Sequence, residues 1–189
     1  MTEVDAADKQ PTPPLQSPTS AAAYAVLGAI SQGPTHGFAI ARRLQPSGDL
    51  GRVWSLSRPL VYRELARLTD RDLVREEAGE AGDRGPRRTI VVVTAPGQAE
   101  TDRWLAEPVS RVRDFRSMFL LKLALIDGID GDPTPLALAQ RTEFGRRLDE
   151  VRQERLGTTG FDSQVLLWRE LSTRTAIDFV NSLLIDTNG

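Results

Sequence analysis

The chain has 189 residues, 40% of them hydrophobic and 26% charged, which suffices for one core or two small ones and matches neither a disordered nor a fibrous composition. It holds no cysteine and a single histidine, so disulfides, thiolate metal sites, cysteine nucleophiles and sites built on several histidines are excluded. No apolar run reaches the roughly 18 residues of a membrane span and the amino terminus lacks a charged-then-apolar signal pattern, so the expectation is a folded cytoplasmic protein without membrane association.

The net charge of −2 speaks against a nucleic-acid partner until it is divided along the chain. Residues 20–98 carry 11 Arg against 8 acidic groups, a balance of +3, whereas residues 99–189 carry 12 basic against 15 acidic groups, a balance of −3. Of the 24 cationic residues only Lys9 and Lys122 are lysine. Guanidinium suits forked contacts to phosphate or guanine, although arginine-rich codon usage would produce the same bias.

From the amino terminus, Met1 to Thr19 interleaves Pro11, Pro13, Pro14 and Pro18 with Gln, Ser and Thr, a composition that predicts a disordered arm. Ser20 is placed to cap a helix through Ile30, with Tyr24 and Leu27 at helical spacing. Gly33-Pro34 stops it, and Thr35 is expected to cap a short second helix whose apolar stripe is Phe38, Ile40, Ala41 and Leu44. Ser57 caps a third helix with Pro59 in its first turn, where the missing N–H costs nothing. Val61, Leu65 and Leu68 form that helix's buried stripe, and Arg58, Tyr62, Arg63, Arg67 and Asp70 occupy its other faces.

Leu73 to Glu77 reads as a strand and Thr89 to Val93 as a β-branched return strand, joined by a glycine-rich loop holding Arg84, Arg87 and Arg88. Three helices followed by a hairpin predict a winged helix. Thr94 begins a further helix ending near Glu107-Pro108, Val112 to Ile126 is a strongly apolar helix, and Asp132 caps one containing Phe144, Leu148 and Val151. The last helix is expected to follow Asp162. Its apolar residues, among them Leu166, Leu167, Trp168, Leu171, Phe179 and Val180, spread over more than one face, so self-association is the expected cover.

Seven segments in this order resemble the PadR family of transcriptional regulators, specifically its members with a longer helical carboxyl-terminal domain of the virulence-activator type. They are Tyr24-Ala25-Val26-Leu27-Gly28, the span Gly33 to Ile40, the span Val61 to Leu68, Leu73-Val74, Gly85-Pro86-Arg87-Arg88, Thr94-Ala95-Pro96-Gly97 and Phe119 to Leu123. The resemblance covers about residues 20–185. It implies DNA contact at His36 and Gly37, at Arg58, Tyr62 and Arg63, and on the wing at Arg87 and Arg88; Ser57 and Arg67 complete the candidate set. Three departures stand out: Val91 where the return strand usually has an aromatic, no basic residue near Thr89, and Asp72 in place of the customary glycine before Leu73. They imply a wing that grips DNA differently.

Each signal has a plainer explanation beside it. His36, at a helix amino end, either helps grip a phosphate or is a structural turn residue. Tyr62 either touches phosphate or packs, and Arg63 either reaches DNA or pairs with Glu64 or Asp70. Trp104, Phe115, Phe119 and Trp168 either border an effector cavity or belong to the core. Asp127, Asp130 and Asp132 resemble a calcium loop only superficially, since the ligand spacing and closing glutamate are missing.

Taken together, the expected architecture is mainly α with a small β-hairpin. It comprises a Pro-rich arm (1–19), a winged helix-turn-helix (20–98) and a helical dimerisation and effector domain (99–189). The expected function is that of a cytoplasmic homodimeric DNA-binding regulator, a repressor on an inverted-repeat operator, with double-stranded DNA and a small-molecule effector as partners. No catalytic residue, metal or cofactor is expected. The competing reading is a winged helix that contacts only other proteins.

Overall fold

In the computed structural model, residues 19–78 and 89–186 are described, and all that follows concerns them. Helix α1 (Ala21–Ser31) starts where Ser20 Oγ accepts the Ala23 N–H at 3.0 Å. The spacing predicts one apolar face, yet Ala23 and every residue from Ala25 to Ile30 are buried. A helix apolar all round must be covered on all sides, and α1 is enclosed by the second, third and fourth helices and by part of the sixth.

Helix α2 (Gly37–Arg43) is capped by His36, not by Thr35 as expected. Thr35 serves otherwise: its backbone exchanges both hydrogen bonds with Val91, at 3.0 and 2.6 Å, adding a bridge to the hairpin. Ile40, Ala41 and Leu44 are buried as expected, whereas Phe38 is 54% exposed. Helix α3 (Arg58–Asp70) has Pro59 in its first turn and buries Val61, Leu65 and Leu68. Ser57 occupies its N-cap position but makes no side-chain capping bond there.

Asp72, the residue standing in for glycine, has φ +54°. The turn needs a left-handed residue, and Asp is among the few side chains that tolerate one. Strands β1 (Val74–Ala78) and β2 (Thr89–Val93) pair antiparallel with Val74 opposite Val93 and Ala78 opposite Thr89. Val91 is buried and takes the Thr35 bridge, so a small β-branched side chain fits where a larger ring was expected. The loop with Arg84, Arg87 and Arg88 lies outside the described residues, as does the arm through residue 18. Thr19, expected within that arm, is anchored: its hydroxyl accepts from Arg71 at 2.8 Å and donates to Glu100 at 3.0 Å.

Helix α4 (Ala95–Ala106) is capped by Thr94, whose Oγ1 accepts the Gly97 N–H at 3.1 Å. The expected division between residues 98 and 99 falls inside this helix. A short helix α5 (Val112–Asp114) runs through one π turn (Phe115–Phe119) into α6 (Leu120–Asp127). Two long helices follow, α7 (Thr134–Arg155) and α8 (Gly160–Asp186). Asp132 accepts the Thr134 N–H at 2.9 Å as anticipated, whereas α8 begins at Gly160, so Asp162 lies in its first turn instead of preceding it. Helices α7 and α8 run antiparallel. At one end Arg155 meets Glu170 at 2.9 Å, and at the other Phe144 and Phe179 both reach the Phe115 ring.

The two halves are joined by buried contacts. Gly28 on α1 lies so close to Leu125 on α6 that a Cβ there would sit 2.5 Å from Leu125 Cδ1. Leu121 and Leu125 thereby enter the amino-terminal core, and a second core forms around Phe119, Leu136, Ala137 and Val180. Buried Gln140 clips the α4–α5 connection to α7, donating to Val109 O at 2.8 Å and accepting from Val109 N at 2.7 Å. Lys122, also buried, donates to the Trp104 and Glu107 carbonyls at the end of α4 and stands 4.7 Å from the centre of the Trp104 ring.

Burial pulls the Lys122 ammonium from its ordinary 10.5 down to about 8, against the opposing charge of Glu107. Between those two values the unfolded chain holds more protons than the folded one, so this residue makes stability rise with pH across that window. Urea unfolding at pH 7, 8, 9 and 10 should show wild type gaining stability relative to Lys122→Met above pH 8. A constant difference across the series would contradict the assigned environment.

Candidate nucleic-acid interface

At about 100° per residue, Arg58, Tyr62, Arg63, Ala66, Arg67 and Asp70 fall on one half of α3, and all are exposed. The opposite side carries Val61, Leu65 and Leu68 into the core, so packing alone turns the arginine face outward. Between the two lies Glu64, only 2% exposed. Its carboxylate accepts from Arg67 at 3.0 Å and from the Ser20 hydroxyl at 3.4 Å, and Arg63 Nε lies 3.6 Å from it. Both guanidinium groups remain well exposed, 62% for Arg63 and 59% for Arg67. The ion pair considered for Arg63 thus exists, but it is long and leaves the side chain on the surface.

The start of α2 is brought against the start of α3. Gly37 packs on Tyr62 so tightly that a Cβ would lie 2.8 Å from its ring. The Arg58 guanidinium lies over two aromatic rings, 5.3 Å from the Phe38 centroid and 5.7 Å from that of Tyr62. His36 adjoins them, its ring 6.4 Å from Phe38. Its Nδ1 accepts the Ala39 N–H at 3.0 Å, which places the proton of the neutral ring on Nε2. The two roles weighed for His36 are therefore compatible, one on each nitrogen.

Of the nine candidate residues, seven (His36, Gly37, Ser57, Arg58, Tyr62, Arg63 and Arg67) converge at the α2 and α3 starts and along one helix face. Arg87 and Arg88 lie outside the described residues. Phe38, expected in the buried stripe of α2, instead joins this surface. A helical projection separates it: Ile40, Ala41 and Leu44 fall within one arc and Phe38 stands outside it. The aromatic residues of the second half divide as follows. Trp104 stacks on Tyr24 at 4.7 Å and Phe119 is fully buried, both core, while Phe115 packs between Phe119 and Phe179. Trp168 is exposed and lines a cleft of about 690 Å3 between residues 110–113, α7 and α8. Among the described residues no cluster of His, Asp or Glu is arranged to hold a metal ion, and no helix is long and apolar enough to cross a membrane.

Residues 26–103 match the PadR-like family of transcriptional regulators. That segment, from α1 to α4, carries every candidate residue. The match spans less than half of the chain and is to a family of transcriptional regulators. A probable transcriptional regulator of Mycobacterium tuberculosis is 29% identical over 97 residues, 51% of this chain and 50% of the relative, so the chain spans about half the length of that curated relative. Two Bacillus subtilis PadR crystal structures are similar in fold. The one with operator DNA is 20% identical and covers 88% of this chain and 99% of its own, with a TM-score of 0.45. The one with p-coumaric acid is 19% identical and covers 92% and 99%, with a TM-score of 0.40.

The His36 cap is testable without DNA. His36→Ala should cost about 1 kcal/mol through the loss of one helix-capping bond, and His36→Asn should restore most of it, since Asn caps as well. Thermal unfolding of the two variants measures this. An Ala variant as stable as wild type would show that the Nδ1 bond carries nothing.

Proposed function

We propose that this chain is a PadR-type transcriptional regulator that binds DNA in a sequence-specific manner as a homodimer, laying α3 in the major groove and acting as a repressor from an inverted-repeat operator. The observation that carries the reading is the outward face of α3, where Arg58, Tyr62, Arg63 and Arg67 share one side of a helix whose other side is locked into the core. His36 Nε2 and the Ser57 hydroxyl stand at helix amino ends and suit phosphate, which would fix register, while Arg63 is the best placed to reach a base edge. Arg87 and Arg88 are proposed as wing contacts to the backbone. The winged helix confined to protein contacts has no observation in its favour.

Dimerisation through α8 is part of the proposal. Leu166, Glu170, Thr173, Ala176 and Val180 are turned inward, whereas Phe161, Trp168, Leu171 and Phe179 lie exposed on the opposite arc. A second copy is the cover this stripe fits, and it would set two α3 helices about 34 Å apart on successive major grooves. The reading includes a small-molecule effector, for which the cleft beside Trp168 is the place in the fold; Arg111 and Arg169 line it and have no ion-pair partner among the described residues. A cytoplasmic location follows from the same reading.

Gel-shift titration against DNA upstream of the chain's own gene, at two salt concentrations, tests the function. Arg63→Ala should lose about 1–3 kcal/mol on the cognate site, and Arg87→Ala should weaken binding to all sequences and lower the salt slope by about 1. Unchanged affinity in both variants would reject the contact assignment. For the dimer, Trp168→Glu with Leu171→Glu should sediment as a folded monomer with wild-type helical content. An intact dimer from that variant would move the interface elsewhere.

A further inference from the structure

Phe38 is unusual in its surroundings. It is a large apolar ring, 54% exposed, at the second position of α2 on a surface otherwise made of arginines, a histidine and a tyrosine. It is held in place there: Gly37 beside it is pressed on Tyr62, and its ring packs against the Arg58 guanidinium at 5.3 Å. Arg58 is constrained by the same group, its guanidinium lying within cation–π distance of both the Phe38 and the Tyr62 ring, while its N–H donors have no hydrogen-bond partner among the described residues. Resting on the DNA-binding reading above, we propose that Phe38 and Arg58 form one specificity-determining pair, Phe38 reading the C5-methyl of a thymine and Arg58 the O6/N7 edge of a guanine on the neighbouring base pair.

Two features of the groove fit this pair. The major-groove edge of a base pair offers one apolar group, the thymine methyl, and phenyl is among the side chains that contact it; guanine offers the paired acceptors that a guanidinium fork matches. Neighbouring base pairs are about 3.4 Å apart along the duplex, a step small enough for two adjoining side chains to address one pair each. A phosphate contact would explain Arg58 but leaves the phenyl without a purpose, since an apolar ring gains nothing against an anion.

The test uses the full-length protein and a pool of randomised duplexes. Wild type, Phe38→Ala and Phe38→Leu are each taken through selection, and the enriched half-site is then resynthesised with deoxyuridine replacing each thymine in turn, which removes one methyl and nothing else. Wild type is expected to lose about three- to tenfold in affinity at one thymine next to a guanine. Phe38→Ala should be indifferent to that replacement and should enrich a site degenerate at that position, and Phe38→Leu should retain part of the preference. Wild type unaffected by every uridine, or a Phe38→Ala protein with the same uridine penalty, overturns the pair. Failure of wild type to enrich any sequence overturns the DNA-reading function itself, and this inference with it.

Discussion

Everything outward-facing in this protein depends on α1 being buried on all sides. A helix with a polar face could shift on its neighbours, but one enclosed by α2, α3, α4 and α6 fixes their relative positions through close packing. Gly28 is the point where this matters most, because only a residue without Cβ lets Leu125 of α6 lie directly on the α1 backbone. Helix α3 is thereby seated on the same element as the helical half. Lys122 reinforces the arrangement by donating to the Trp104 and Glu107 carbonyls at the end of α4. An ammonium withdrawn from water is tolerated there because two carbonyls and the Trp104 ring face it.

The second constraint is electrostatic. Glu64 is a carboxylate almost without solvent contact, beside the exposed Arg63 and Arg67 of α3. A buried charge is stable only with partners, and here Arg67 and the Ser20 hydroxyl supply them, tying α3 to the start of α1. The same carboxylate offsets part of the positive charge on the face. Net charge in the amino-terminal half is correspondingly small, so on the proposed reading DNA affinity would rest on where each guanidinium is held more than on bulk attraction to phosphate. Arg58 is held against two aromatic rings, Arg67 by a hydrogen bond, and Arg63 only by a longer ion pair.

Much of this was legible from periodicity and punctuation. Val61, Leu65 and Leu68 at helical spacing were enough to orient α3, and Thr94, Ser20 and Pro59 marked helix starts because their capping chemistry is local. What escaped was decided by contacts between distant segments. Thr35 is as good a cap by composition as His36, but pairing with Val91, 56 positions away, claims its backbone. Asp72 looked like a departure from pattern, yet the conformation the turn requires is preserved with a different residue. Phe38 was legible in principle, since its place on the helix circumference differs from that of Ile40 and Leu44; counting apolar residues without projecting them hid it. The all-round burial of α1 depends on α6, more than ninety residues further along, and no local signal announces that contact.

Communication between the two halves has a continuous physical route. The exposed arc of α8 includes Phe179, whose ring meets Phe115 edge-on at 5.9 Å; Phe115 stacks on Phe119 at 4.6 Å across the π turn. From there α6 carries Leu121 and Leu125 into the core that seats α1 and α3. Continuity alone transmits nothing, because coupling requires that a ligand or second subunit favour one of two arrangements of these contacts. The π turn is the element suited to such a choice: its wider hydrogen-bonding ring is less regular than the helices on either side, and Val112, which lines the cleft, precedes it by three residues. A molecule in the cleft would press on Val112 and α8 together, and its free energy of binding would reach α3 only to the extent that it distinguishes two settings of Phe115.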